Sequence, residues 1–186
     1  MDNEQKSQEV SLPESAKNEK TTSVEKSSLQ QWPANSRECQ CLQLFGDREA
    51  FMIYFNPDRQ VEYCQPFWLE RIFCGSAPEF VLVWRVYGRG CLESWLMIQL
   101  DDLNSYLAPQ DRMSTRQIEQ AAGVIANQFF YLKVTEFMLF MQRLKAGFYG
   151  HFYGRPDLLR LTSALQEFLK YRENVVKAIE REKRRP

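Results

Sequence analysis

Between Val134 and Leu144 the chain reads Val-Thr-Glu-Phe-Met-Leu-Phe-Met-Gln-Arg-Leu, apolar on nearly every side of a helix. A helix without a polar face is stable in water only when other elements surround it. This one run therefore predicts a central, well-buried helix with a bundle built around it. Lys145-Ala-Gly147 predicts its end, because glycine adopts the left-handed backbone of a helix cap without a Cβ penalty.

The neighbouring segments carry the one-sided periodicity that such a centre needs. Ser114-Thr-Arg-Gln117 is a capping box, in which hydroxyl and amide satisfy the first free backbone donors of a helix. It launches a helix with Ile118, Ala121, Ala122, Ile125 and Phe129 inward. Leu92, Trp95, Leu96, Leu100, Leu103 and Leu107 recur at three- and four-residue spacings, which predicts a helix over 93–107. Pro78 to Tyr87 reads as a helix with Phe80, Val81, Trp84 and Tyr87 on one stripe, ended by Gly88. Asp157 caps a last helix through Leu158, Leu161, Leu165, Phe168 and Leu169, running past Val176 into the charged 177–185 end.

Residues 37–76 stay open between strand and helix. Leu42–Phe45 and Ala50–Phe55 are short apolar runs parted by Gly46-Asp47, and Asn56-Pro57-Asp58 is a turn signal. Pro66 to Phe73 reads as two helical turns opened by proline and closed by Gly75. Residues 1–36 hold almost no apolar side chains, too few to offset the entropy of ordering, so a disordered tail is expected. The fold class is therefore mainly α, a small helical bundle: a tail over 1–36, then one domain over 37–186, best defined over 77–176.

The formal net charge of zero hides an asymmetry. Residues 37–112 hold 7 Lys/Arg against 11 Asp/Glu, and residues 113–186 hold 13 against 7. A basic C-terminal half fits an acidic partner or the acidic half of the same chain. No apolar run approaches the ~20 residues that span a bilayer, and the first thirty residues are polar and acidic. No membrane association and a cytoplasmic location are expected. The five cysteines, an odd number in apolar contexts, fit reduced thiols better than a disulfide framework.

Chemistry-bearing groups are sparse. His151, the single histidine, has no serine or cysteine nucleophile beside it in sequence. Cys39-Gln-Cys41 with the isolated Cys64, Cys74 and Cys91 lacks the paired knuckles of a thiolate zinc site. Asp101-Asp102 is a carboxylate pair without a phosphate-binding loop anywhere in the chain. No catalytic constellation, metal or cofactor is expected.

One stretch stands apart. Gly147-Phe-Tyr-Gly-His-Phe-Tyr-Gly154 alternates aromatics with glycines between cationic flanks, Arg143 and Lys145 before it and Arg155 and Arg160 after it. The expected binding residues are Arg143, Lys145, Tyr149, His151, Phe152, Tyr153, Arg155 and Arg160. In a nucleic-acid-associated accessory protein the cations and His151 would contact phosphates while the aromatics stack on bases, each worth about 1–3 kcal/mol. In a protein–protein adaptor or homodimeric scaffold the same composition serves as an interface hot spot. In a third arrangement the aromatics simply tuck against the bundle. The octapeptide superficially matches the aromatic strand of RNA-recognition sheets, but its flanks are helical.

Residues 84–172 resemble an uncharacterised family of small proteins from Bacteroides-type bacteria and their mobile elements. The resemblance rests on Tyr87-Gly88, Trp95-Leu96, Asp102-Leu-Asn104, Met113-Ser-x-x-Gln117-Ile118, Tyr131-Leu-Lys-Val-Thr-Glu136, Phe140, Lys145-x-Gly147, Tyr149-Gly150, Phe152-Tyr-Gly154, Asp157, Leu165, Phe168 and Arg172. The family pattern has Phe where this chain has Leu144, and Asp-Pro where it has Arg155-Pro156-Asp157-Leu158. The resemblance implies a helical fold and a mobile-element setting, and no activity or catalytic residue.

Overall fold

The computed structural model describes residues 32–64, 68–150 and 156–185. Two short polar side chains decide what the open stretch becomes. The Ser36 hydroxyl accepts from the Cys39 amide at 3.1 Å, and the Asp47 carboxylate accepts from the Ala50 amide at 2.9 Å. These caps open α1 (Arg37–Phe45) and α2 (Arg48–Tyr54), so both apolar runs are helices and not strands. A 3-10 segment over Pro57–Cys64 and the short α3 (Leu69–Cys74) follow, and the Gly75 N–H closes α3 on the Arg71 carbonyl. Pro66, read as the opener of that helix, lies outside the described residues, as does the expected tail except for Trp32–Ser36.

α4 (Phe80–Tyr87) and α5 (Arg89–Asn104) meet at Gly88, which ends one and begins the other. Its φ of 87° and ψ of 157° belong to a region that glycine alone occupies readily. The helix expected over 93–107 thus starts four residues earlier and ends three earlier. Gly90, in its first turn, does not break it.

The expected α4 stripe needs correction. Phe80, Leu82 and Val83 are buried, Tyr87 is half-buried, and Val81 and Trp84 are exposed. The segment Phe-Val-Leu-Val-Trp-Arg-Val-Tyr is apolar except for Arg85, so spacing alone does not fix its rotation. Backbone bonds fix it instead: Phe80 N–H donates to Leu132 O at 2.8 Å, Val81 N–H to Phe130 O at 2.9 Å, and Val134 N–H to Pro78 O at 3.0 Å.

α6 (Thr115–Gln128) opens with the expected capping box, and Ile118, Ala121, Ala122, Ile125 and Phe129 are all buried. α7 (Val134–Lys145) is the centre of the bundle. Val134 to Met141 and Leu144 are buried without a break, polar Thr135 and Glu136 included. The Phe137 ring meets Phe80 and Trp95 at 5.7 and 5.8 Å, and Phe140 meets Phe168 of the last helix at 5.7 Å. Thr135 Oγ1 donates to Ile72 O at 2.9 Å, which ties α3 to the same helix. Gly147 follows α7 at φ +80°, as expected of its cap.

α8 (Leu158–Lys183) is capped by Asp157, whose Oδ1 accepts from Arg160 N at 2.7 Å. Leu161, Ala164, Leu165 and Phe168 are buried, while Leu158 is exposed. Two ion pairs join the basic half to the acidic half: Lys145 to Asp102 at 2.6 Å and Lys183 to Glu70 at 2.7 Å. No strand is present among the described residues, apart from one isolated bridge between Glu79 and Lys133. Among them, no helix is long and apolar enough to cross a membrane.

Candidate functional site

The connector after α7 is where sequence reading placed the binding surface. Arg143, in the last turn of α7, directs its Nε to the Tyr149 hydroxyl at 3.0 Å. Its guanidinium lies 4.2 Å from the Phe148 ring centroid and 4.0 Å from that of Tyr171 on α8. An arginine held between two rings is a cation–π clamp. It pins the start of the connector onto the bundle.

Tyr149 is half-buried with its ring 5.6 Å from Phe140. Burial pushes its hydroxyl above the ordinary tyrosine value, against the opposing Arg143 bond, so it remains a neutral acceptor for Arg143. Lys145 also faces inward. Its side chain is 6% exposed, its ammonium pairs with Asp102, and the Tyr106 ring lies 4.6 Å away. The Asp101-Asp102 pair therefore gives one of its carboxylates to a lysine.

The remaining expected residues divide. Arg160 sits exposed on the first turn of α8, and Gly150, Leu159, Arg160, Ser163, Ala164 and Glu167 line a shallow cleft of about 320 Å3 with Tyr149. His151, Phe152, Tyr153 and Arg155 lie outside the described residues. The arrangement thus gathers Arg143, Lys145 and Tyr149 into internal contacts. Phe148 and Leu159, 62% and 74% exposed, are left outward at the same end of the bundle. Neither was among the expected site residues. Leu159 follows Leu158 in a helix whose inward set is already complete, and that surplus was the available signal.

A second group escaped sequence reading altogether. Val81 and Trp84 on α4, with Phe130 and Tyr131 on the α6–α7 turn, are all exposed. The Val81–Phe130 backbone bond holds the two segments together, and the Phe130 and Tyr131 rings meet edge to face at 5.6 Å. Arg89 lies over the Trp84 ring at 5.4 Å. Only the rotation of α4, set by contacts some fifty residues away in sequence, turns Trp84 outward.

Two of the buried thiols offer little chemistry. Cys39, Cys41 and Cys91 are buried and free, and Cys74 is exposed. Burial pushes the Cys41 thiol up to about 11, although the Tyr87 hydroxyl beside it pulls the other way. Burial likewise raises Cys91, with Arg48 opposing. Neither forms the thiolate needed for nucleophilic or redox work near neutral pH. Among the described residues no three His, Cys, Asp or Glu side chains gather as metal ligands.

Residues 112–186 match a family of unknown function, DUF6633. The match begins just before α6 and runs through α7, the connector and α8, less than half of the chain. No curated protein and no solved structure matches. The DUF6633 region contains every residue expected of the connector site, but Asp102 and Tyr106, which hold Lys145, precede it.

Proposed function

We propose that this chain is a non-catalytic adaptor that binds another protein through the apolar end formed by Phe148 and Leu159. One observation carries this reading. The two cations before the connector are engaged within the molecule, Arg143 by Tyr149, Phe148 and Tyr171, and Lys145 by Asp102. Phosphate binding needs cations directed at solvent, whereas an interface core needs exposed apolar and aromatic groups with few charges. Phe148 and Leu159 supply the latter, with Arg160 at the rim. The cytoplasm is the proposed location, where Cys39, Cys41 and Cys91 stay reduced. The mobile-element setting implied by the resemblance indicates which gene neighbourhoods would encode a partner.

A photo-crosslinking phenylalanine analogue at position 148, expressed in the native host, tests the reading. The expected result is a discrete protein adduct that disappears with Leu159→Ser, in a variant whose circular dichroism is unchanged. In parallel, labelled single-stranded DNA, duplex DNA and RNA are titrated at several salt concentrations. Saturable binding that weakens steeply with salt and is lost in Arg160→Ala would replace the adaptor by the nucleic-acid-associated accessory protein. The absence of any adduct would also remove it.

A further inference from the structure

The geometry points to a second binding face, independent of the connector, built on Val81, Trp84, Phe130 and Tyr131 and suited to an acidic peptide segment with an apolar anchor. The four side chains are exposed, and the backbone bonds at Pro78–Val81 and Phe130–Val134 hold their two segments rigidly. Tryptophan, tyrosine and arginine on a preorganised scaffold lose little side-chain entropy on binding, which is why they dominate interface energetics.

The charges around this face decide what it takes. Arg85 pairs with Glu38 at 2.8 Å, Arg89 with Glu93 at 2.7 Å, and Arg37 with Glu79. In each pair the guanidinium is the outer member and the carboxylate the inner one, most sharply for Arg85 and Glu38 at 59% and 8% exposed. Each fork has five N–H donors, more than one inner carboxylate uses. The solvent therefore meets outward-facing donors around an aromatic centre, complementary to carboxylates.

Two alternatives fit less well. Every arginine here is matched by a glutamate, so the face offers isolated outward donor forks that suit one or two carboxylates, and no positive field extended enough to release counterions from a polyanion. That disfavours nucleic acid. The four side chains offer about 350 Å2 on the areas such groups usually present, against roughly 800 Å2 per partner in a stable interface. That disfavours a stable pair of copies, and a short segment seating one or two side chains matches the area.

Panning a random peptide display library against the full chain tests the inference. The expected enrichment is for peptides that combine Asp or Glu with an aromatic or large aliphatic residue. Their affinity should fall at least tenfold in Trp84→Ala and severalfold in Arg89→Ala, while Leu159→Ser leaves it unchanged. Arg89 is exposed and Trp84 is 37% exposed, so thermal melts of both variants verify that the fold persists. Enrichment of basic or neutral peptides, binding insensitive to Trp84→Ala, or no enrichment would each overturn the inference. So would an oligonucleotide that binds this face and is lost in the same variants, or a dimer abolished by Trp84→Ala. Loss of the connector adduct alone would leave it standing.

Discussion

Glu136 has no exposed surface, yet it sits in the central helix. One oxygen accepts from Arg172 Nε at 2.8 Å and the other from the Lys133 amide at 3.1 Å. Burial is the larger influence and pushes the carboxyl above the ordinary range, with Arg172 and Lys133 opposing it. The folded state therefore holds this proton more tightly than the unfolded state does. The group's contribution to stability is complete below the unfolded value of about 4.3 and is lost as pH rises through the folded value. Glu136→Gln carries no such loss. Chemical denaturation from about pH 4 to about pH 7 should show the stability difference moving steadily in favour of Glu136→Gln. A difference independent of pH would refute the assignment. Arg172→Met is the harsher change, because it leaves the buried carboxylate without its cation, and about 3 kcal/mol should be lost at neutral pH.

At the scale of elements, capped helix starts were more legible than the rotation of α4. Ser114 and Asp157 were readable because a cap is a local event: the side chain bonds an amide three residues on, within sight of the sequence. α6 was readable through its period, since polar residues on its outer face fix which side turns inward. α4 was not, because Arg85 is its one charged residue and a single charge marks an outer face only weakly. Its phase comes from Leu132 and Phe130. The connector was legible as unusual and illegible as a surface. Lys145 and Asp102 are 43 residues apart, and nothing near Lys145 announces that its ammonium is engaged. The caps yield a direct prediction. Ser114→Ala and Asp157→Ala should each cost about 1 kcal/mol, and the double variant should lose about their sum, since the two ends share no partners. Urea melts of the four proteins measure it. A double variant no less stable than either single one would show that the two caps belong to one network.

For the molecule as a whole, the matched family region and the folding unit do not coincide. α7 lies within residues 112–186, but some of the rings and carbonyls around it come from earlier in the chain. Phe80 and Trp95 flank Phe137, Ile72 accepts from Thr135, and Pro78 accepts from Val134. Without those neighbours a helix apolar on every side would face water. Residues 112–186 expressed alone should therefore show weak near-ultraviolet dichroism and no cooperative thermal transition, while residues 32–186 show strong dichroism and a sharp transition. A sharp transition for the shorter piece would mean that α6, α7 and α8 close a core among themselves.

Gly88 separates two properties usually lost together when glycine is replaced. A Cβ at that position would meet nothing within 4 Å, yet φ is +87°. What the site refuses is therefore a backbone torsion and not bulk: L-alanine would strain the backbone in empty space. The passage from α4 to α5 depends on the one residue in the genetic code that is not chiral.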